Sequence, residues 1–98
     1  MTRDPIPPTI LRNVLDEVWP AWVRRLERHG PGELSSYREI HGVLDQENDE
    51  VKQAIHAKDP VQIRAELMDV VIAALHSIAT IDHWQSTNDG KRSPASTG

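Results

Sequence analysis

The chain has 98 residues, no cysteine, no phenylalanine and a formal net charge of −4, and 38% of its residues are hydrophobic. The acidic balance argues against a surface for nucleic acid or an anionic membrane, and the lack of cysteine excludes thiolate metal sites, disulfides and cysteine nucleophiles. A chain of this length forms one domain with a small core, so we expect a helical dimer or tetramer, because oligomerisation commonly completes a small core.

The N-terminal segment MTRDPIPP is rich in proline and lacks the apolar stretch of a signal peptide. No run in the chain approaches the ~18 apolar residues that a membrane span requires. We therefore expect a cytoplasmic protein whose partners include neither a membrane nor a nucleic acid.

The first predicted helix covers ILRNVLDEVWPAWVRRLERHG, in which apolar residues repeat every four positions from Ile10 to Val18. Thr9, directly before this segment, is the predicted N-cap. Pro20 removes one backbone donor and clashes with the preceding turn, so the helix should be kinked or split there. The sequence GPG at residues 30–32 ends the helix.

A second helix is predicted from Ser36, where SYRE has the Ser-x-x-Glu spacing of a capping box, to about Ala57. The tripeptide KDP then ends this helix and begins a third, with Asp59 as N-cap and Pro60 at the first helical position. The third helix is predicted to end at about Trp84 and is the most apolar part of the chain.

Residues 1–84 are predicted to form a single all-α domain, because no strand pattern or internal repeat interrupts the helical periodicity. We expect this domain to be a helical bundle that is completed by oligomerisation, as a homodimer or a homotetramer. Residues 85–98, QSTNDGKRSPASTG, contain one alanine and otherwise no hydrophobic residue, which predicts a flexible C-terminal tail.

Projection onto a helix divides the acidic stretch DQENDE of the second helix in two. Glu47 and Glu50 fall within or beside the apolar arc of the helix, whereas Asp45 and Asp49 fall on the opposite side, where they should face water. Burying two like charges is costly unless another charge compensates them. We therefore expect a hard divalent cation beside the inward pair.

The third helix is apolar around most of its circumference, which predicts burial against several neighbours. Its narrow polar stripe contains Glu66 and Asp69, which again have i, i+3 spacing. Two helices joined by the short AKDP turn should pack antiparallel, so these carboxylates should lie opposite Glu47 and Glu50. We predict that the four together bind Mg²⁺, with Mn²⁺ as the alternative ion.

The segment QENDE, followed fifteen residues later by ELMD, resembles the ExxE…ExxD signature of the all-α nucleoside triphosphate pyrophosphohydrolases, the MazG-like superfamily. The resemblance covers residues 36–82 and includes the apolar continuation VVIAAL. The matching positions are Glu47, Glu50, Glu66 and Asp69. The fuller motif of the family begins with two adjacent glutamates, and this chain has Gln46 at the first of these positions.

The resemblance implies Mg²⁺-dependent hydrolysis of a nucleoside triphosphate to a nucleoside monophosphate and pyrophosphate, with the four matched carboxylates as metal ligands. A carboxylate that is not fully engaged with metal can act as a base, and we assign this catalytic role to Glu50. The C-terminal NDGKR resembles an Asn/Lys element of some members, which makes Asn88, Lys91 and Arg92 candidate substrate contacts.

Three further residues are candidate substrate contacts. Trp22, with the neighbouring Trp19, could stack on a nucleobase, and His76 continues the polar stripe about two turns beyond Asp69. Tyr37 is the third. A place in the core or at a dimer interface is the competing interpretation for the aromatic residues, and a structural hydrogen bond is the competing interpretation for His76.

Three basic residues, Arg38, Lys58 and Arg64, are further candidates for phosphate contacts. Arg24, Arg25 and Arg28 form a patch for which a solvated helix face is the favoured interpretation. Arg64 in the third helix projects away from the polar stripe, and Lys58 lies in a turn. None of these residues is predicted to belong to the site.

The leading hypothesis is therefore a MazG-like nucleotide pyrophosphohydrolase. A second hypothesis is a catalytically weak relative, a helical oligomer that binds metal, nucleotide or another protein as a regulatory module. Gln46 and the shortness of the chain keep this alternative open. A third hypothesis, a structural helical dimer without metal, requires that the four inward carboxylates be protonated or paired.

Overall fold

The computed structural model of the chain describes residues 3–88. Its regular structure consists of the helices α1 (Pro8–His29), α2 (Tyr37–Ala57) and α3 (Pro60–Asn88). No strand occurs in these residues, which confirms the predicted all-α class. None of the three helices combines the length and the apolar character that crossing a membrane requires.

Helix α1 begins at Pro8, one residue before the predicted cap. Pro7 is the N-cap, with extended backbone and no side-chain hydrogen bond. Proline suits the first helical position, because the N–H that it lacks would have no partner there. Thr9 consequently lies inside the helix, and the prediction that it caps the helix is wrong. Pro20 lies within a helix that continues to His29, so the chain is not split there.

The starts of α2 and α3 are fixed by the predicted caps. The Ser36 hydroxyl accepts a hydrogen bond of 3.1 Å from the Glu39 N–H, and the Glu39 carboxylate accepts one of 2.6 Å from the Ser35 N–H. Asp59 accepts two hydrogen bonds, of 3.1 and 3.3 Å, from backbone N–H groups in the first turn of α3. Both N-cap predictions are confirmed, since each depends only on a side chain and its own turn.

Helix α3 continues to Asn88, four residues beyond the predicted end at Trp84. Trp84 is only 1% exposed, and the ring of Tyr37 packs against it edge-on at a centroid distance of 6.0 Å. No proline or glycine follows Trp84 until Gly90, so nothing in the sequence interrupts the helix there. Of the predicted tail, residues 85–88 are therefore helical, and residues 89–98 lie outside the described residues.

Both α1 and α2 pack against α3. The connection between α1 and α2 also contacts α3: the Leu34 N–H donates to the Thr80 hydroxyl at 3.2 Å, and Glu33 pairs with His83 at 2.7 Å. The buried hydrophobic residues of the described chain are Ala21, Leu34, Val51, Ala54, Ile72, Ala73 and Trp84. Three of the seven are alanines, so this core is small.

The side of α3 that faces α1 and α2 is largely its polar stripe. His76, Ser77 and Thr80 are 2–5% exposed, and each makes a hydrogen bond. Several large apolar residues of α3 lie outside, with Leu67 49% and Ile78 59% exposed. The prediction that α3 is buried on most of its circumference is therefore wrong for a single chain, because α1 and α2 leave one of its apolar sides exposed.

The exposed apolar residues of α3 continue onto α1 across a groove of about 400 Å³, whose walls include Leu15 and Trp19 from α1 and Leu75 from α3. We define the apolar face by the exposed residues Leu11, Leu15, Trp19, Leu67, Val71, Leu75 and Ile78.

The left-handed backbone at the end of α2 can be tested by substitution. Lys58 has left-handed backbone angles (φ 58°, ψ 33°), which cost a residue with a Cβ about 1–2 kcal/mol. We expect Lys58→Gly to raise the free energy of unfolding by about 0.5–1 kcal/mol in urea denaturation at fixed protein concentration. Lys52→Gly, at an exposed interior position of α2, is the matched control and should lower it by about 1 kcal/mol. Equal effects of the two substitutions would contradict this account of the turn.

Candidate metal centre

Four carboxylates from two helices meet where α2 packs on α3. Glu47 and Glu50 come from α2, and Glu66 and Asp69 come from α3. One carboxylate oxygen of each residue lies within 4.8 Å of the corresponding oxygens of the other three. The i, i+3 spacing puts both members of a pair on one side of their helix, so the packing of two such sides produces the cluster.

The cluster is partly withdrawn from water. Glu47, Glu50 and Glu66 are half-buried and Asp69 is exposed, whereas the other acidic residues of the α2 stretch face solvent as predicted. Within residues 3–88, the Oε2 atoms of Glu47 and Glu66 are buried and have no hydrogen-bond partner. Buried carboxylate oxygens without a donor are costly, and a cation is the group that would compensate both of them.

Electrostatic repulsion in the cluster is concentrated on Glu47. Burial, followed by repulsion from Glu50, Asp69 and Glu66, raises the pKa of Glu47 to about 7 from an ordinary value of 4.5. Burial and the charge of Glu66 also raise the pKa of Asp69, while the nearby Arg28 opposes this rise. Without a cation, Glu47 therefore keeps its proton in a substantial fraction of molecules at neutral pH.

Two glutamine amides donate to carboxylates of the cluster, one on each helix. The Gln62 Nε2 donates to Glu66 Oε1 at 2.6 Å, and the Gln46 Nε2 donates to Glu50 Oε1 at 3.4 Å. In both cases the amide lies four residues before the carboxylate. Gln46, at the position where the MazG-like motif has a glutamate, is thus a donor to a carboxylate of the cluster. No role was predicted for Gln62 from the sequence.

A cleft of about 370 Å³ opens beside Glu47 and Asp69. Four arginines line it: Arg24, Arg25, Arg28 and Arg64. We refer to it as the arginine cleft. The sequence favoured a solvated helix face for the α1 arginines and placed Arg64 away from the polar stripe. Neither prediction identifies the arginine cleft. The only signal in the sequence is the i, i+4 spacing of the arginines at 24 and 28.

The predicted substrate contacts Trp22 and His76 lie together, with ring centroids 6.4 Å apart. Trp19 is 5.3 Å from Trp22. The His76 Nε2 donates to the carbonyl oxygen of Gly32 at 2.8 Å, since a carbonyl can only accept. This hydrogen bond ties α3 to the connection before α2, as the structural interpretation of His76 predicts. His76 is about 10 Å along α3 from Asp69.

Tyr37 does not join the carboxylate cluster. It packs on Trp84, which is fifteen residues beyond Asp69 and so about 22 Å further along α3. Lys91 and Arg92 lie outside the described residues, and Asn88 is the last residue of α3.

Comparison of the chain with protein-family models, curated proteins and solved structures found no match. Function is therefore inferred from the geometry of the carboxylate cluster and the arginine cleft, together with the motif resemblance.

The raised pKa of Glu47 predicts a pH dependence of stability. In metal-free protein, unfolded Glu47 ionises near pH 4.5 while folded Glu47 keeps its proton up to about pH 7. Its contribution to stability is thus complete below pH 4.5 and is lost as the pH rises through 7. We expect the Tm of Glu47→Gln, measured by circular dichroism in EDTA, to fall less over this range than that of the wild type. Asp45→Asn, which changes an exposed carboxylate of α2, should follow the wild-type curve; identical curves for all three proteins would refute the prediction.

Metal binding can be measured without any substrate. At pH 8 and a free metal concentration ten times the Kd, one bound Mg²⁺ or Mn²⁺ should raise the free energy of unfolding by about 1.4 kcal/mol. This corresponds to a rise of roughly 5–10 °C in Tm. The shift should disappear in Glu66→Gln and in Asp69→Asn, and it should persist in Asp49→Asn. A metal-induced shift that survives loss of Glu66 and of Asp69 would place the bound ion elsewhere.

Proposed function

We propose that this chain is a Mg²⁺-dependent nucleoside triphosphate pyrophosphohydrolase of the MazG-like type, which binds its metal through Glu47, Glu50, Glu66 and Asp69. The observation that carries the proposal is that one oxygen of each of these four carboxylates lies within 4.8 Å of the others. The same four residues are the ones on which the motif resemblance depends.

In this proposal α2 and α3 pack as an antiparallel pair. The order of their contacts supports this: Tyr37 near the start of α2 meets Trp84 near the end of α3, and Glu47 later in α2 lies with Asp69 earlier in α3. Only Lys58 and Asp59 connect the two helices, and so short a link favours antiparallel neighbours.

The donor set favours a hard cation. All four donors are carboxylate oxygens, with no histidine or cysteine among them. Mg²⁺ prefers carboxylates and keeps several waters, and Mn²⁺ accepts the same ligands. Softer metals would favour sulfur or imidazole donors, so Mg²⁺ is the proposed ion with Mn²⁺ as its substitute.

The proposed reaction cleaves the bridge between the α and β phosphates. When bound, Mg²⁺ neutralises phosphate oxygens and lowers the pKa of a coordinated water. The water oxygen bonds to one of the two phosphorus atoms, the P–O bond of the bridge breaks, and a nucleoside monophosphate and pyrophosphate leave. Glu50 accepts the proton of the water in this scheme. The amide of Gln46 donates to Oε1 of Glu50 at 3.4 Å, so it orients the carboxylate that accepts this proton.

Among the proposed substrate contacts, Trp22 and His76 are the pair that the fold brings together. We propose that Trp22 contacts the nucleobase and that His76 contributes from the adjoining stripe of α3. Lys91 and Tyr37 remain candidate substrate contacts that are supported by the sequence alone.

The second candidate function is that of a metal- or nucleotide-binding module, or a protein-binding regulator, with weak or no catalysis. The observation that favours it is Gln46, which replaces one carboxylate of the MazG-like motif by an amide. This alternative keeps the same metal ligands, so it differs from the enzyme only in turnover.

One assay separates the candidates. The protein is incubated with Mg²⁺ and a panel of canonical, deoxy and modified nucleoside triphosphates, and pyrophosphate release is followed. We expect turnover of at least one substrate, with loss of turnover in Glu47→Ala and in Asp69→Ala. Asp45→Ala and Asp49→Ala, which remove exposed carboxylates of the same helix, should keep the activity.

If no triphosphate turns over but Mg²⁺ or a nucleotide raises the Tm, the binding-module function replaces the enzyme. If neither ligand changes the Tm, the chain is a structural helical protein. Glu50→Gln tests the base assignment: it should lower kcat by about 10²–10⁴, the usual contribution of a general base.

We also propose that the chain is a homodimer or a homotetramer held together by the apolar face. Seven large apolar residues on this face are 36–66% exposed in a single chain, and the buried core contains few large residues. A second copy would cover the side of α3 that α1 and α2 leave open. Contiguous apolar surface of this kind marks a protein interface.

Light scattering after size exclusion tests the interface. The wild type should have two or four times the monomer mass of 11.1 kDa. Val71→Asp combined with Leu75→Asp should shift the protein toward the monomer mass, because each places a charge in the apolar contact. Ile55→Asp, at an exposed apolar site of α2 outside the face, should leave the mass unchanged. A monomeric wild type at micromolar concentration would refute the proposal.

A further inference from the structure

The arginine cleft places positive charge directly against the carboxylate cluster. Arg24, Arg25 and Arg28 lie on one face of α1, together with the buried Ala21. Glu47 and Asp69 line the same cleft. Its volume of about 370 Å³ is within the ~300–1,000 Å³ typical of pockets for small molecules.

The three arginines of α1 differ from Arg64 in their charge partners. Arg64 forms a forked pair with Glu17, with N–O distances of 3.1 and 2.5 Å. In the part of the chain that the structure describes, no carboxylate lies within ion-pair distance of Arg24, Arg25 or Arg28. Arg25 is half-buried, and burial lowers its pKa. Arg24 and Arg28 are exposed, so three guanidinium groups without an ion pair line one cleft of an acidic protein, and an anionic ligand would complement them.

The chemistry of the cleft favours phosphate groups. A guanidinium group presents paired N–H donors that match phosphate oxygens, and several phosphates in a chain can occupy several arginines at once. The neighbouring carboxylates would repel a bare anion but would attract an anion that arrives with a divalent cation. The ligand that satisfies both walls of the cleft is a metal-bound chain of phosphates.

We propose that the arginine cleft binds the phosphate chain of a nucleoside triphosphate and that Arg24, Arg25 and Arg28 select substrates by the number of their phosphates. This inference rests on the proposed function, in which Mg²⁺ binds to Glu47, Glu50, Glu66 and Asp69. The arginines and the ion then neutralise the same chain from opposite walls. A nucleoside monophosphate reaches fewer of these groups, so it binds weakly and leaves after hydrolysis.

Calorimetric titration of the full chain with inorganic triphosphate and with inorganic phosphate, both in Mg²⁺, tests the cleft. Losing charge-assisted hydrogen bonds to phosphate should weaken triphosphate binding in the double variant Arg24→Gln/Arg28→Gln by about 10–100-fold. Binding of inorganic phosphate should change by less than about threefold. Arg12→Gln removes an exposed arginine of α1 that does not line the cleft, and it should match the wild type.

Two further measurements keep the result interpretable. The Mg²⁺-induced rise in Tm should persist in the double variant, which shows that it folds and that the carboxylates still bind the ion. Arg24→Lys/Arg28→Lys, which keeps the charge but loses the paired donors, should recover part of the lost affinity. Equal triphosphate affinity in the wild type and the double glutamine variant would overturn the proposal.

The outcomes also separate this inference from the proposed function. If a nucleotide is hydrolysed in a Glu47-dependent way but its KM is the same in the double variant, the inference is wrong and the enzyme stands. If triphosphates bind through the arginines but none is hydrolysed, the inference stands and the enzyme is wrong. Binding of inorganic triphosphate without binding of any nucleoside triphosphate would overturn the assignment to nucleotides.

Discussion

The mutual repulsion of Glu47, Glu50, Glu66 and Asp69 is the constraint on which the rest of this structure depends. Their oxygens lie within 4.8 Å of one another because the two helices that carry them pack closely at that level. Buried small and branched residues on both helices, such as Val51 on α2, hold the helices together there. Apolar packing therefore forces acidic groups into contact, and the unpaired oxygens and the raised pKa values follow from it. A cation bound by the four carboxylates would relieve this repulsion, and the relief would contribute to its binding free energy.

The orientation of α3 follows from the same arrangement. To present its carboxylates to α2, α3 must turn its polar stripe inward, and its hydroxyl and imidazole groups make internal hydrogen bonds there. The residues that would make the best core, including Leu67 and Leu75, are left outside. In the proposed oligomer, a second copy would cover this exposed apolar side of α3. The carboxylate cluster and the proposed oligomer interface thus both follow from the orientation of α3.

The sequence predicts the parts of this fold that local physics decides. The caps at Ser36 and Asp59 need only their own turns, and the two i, i+3 acidic pairs need only the helical period. The cap at Thr9 is mispredicted because the neighbouring Pro8 suits the first helical position better. The polar stripe of α3 faces α2 as predicted, but the burial of its apolar residues is mispredicted for a single chain, because apolar periodicity does not show how many helices are present to cover them. The arginine cleft depends on how α1 rotates against α3, which no local pattern in α1 determines.

The structure gives Gln46 a physical role, as a hydrogen-bond donor, that the motif comparison alone does not show. As a missing glutamate it removes one negative charge from a site where burial and the neighbouring carboxylates already raise the pKa of Glu47 to about 7. As an amide it donates to Glu50, just as Gln62 donates to Glu66 from the equivalent position on the other helix. Each helix thus carries a glutamine one turn before a carboxylate of the cluster. A donor that fixes one carboxylate oxygen leaves the other to bind the ion, which is how outer residues orient metal ligands. The glutamine is therefore compatible with a working metal centre, since it orients a carboxylate that a glutamate at this position would repel.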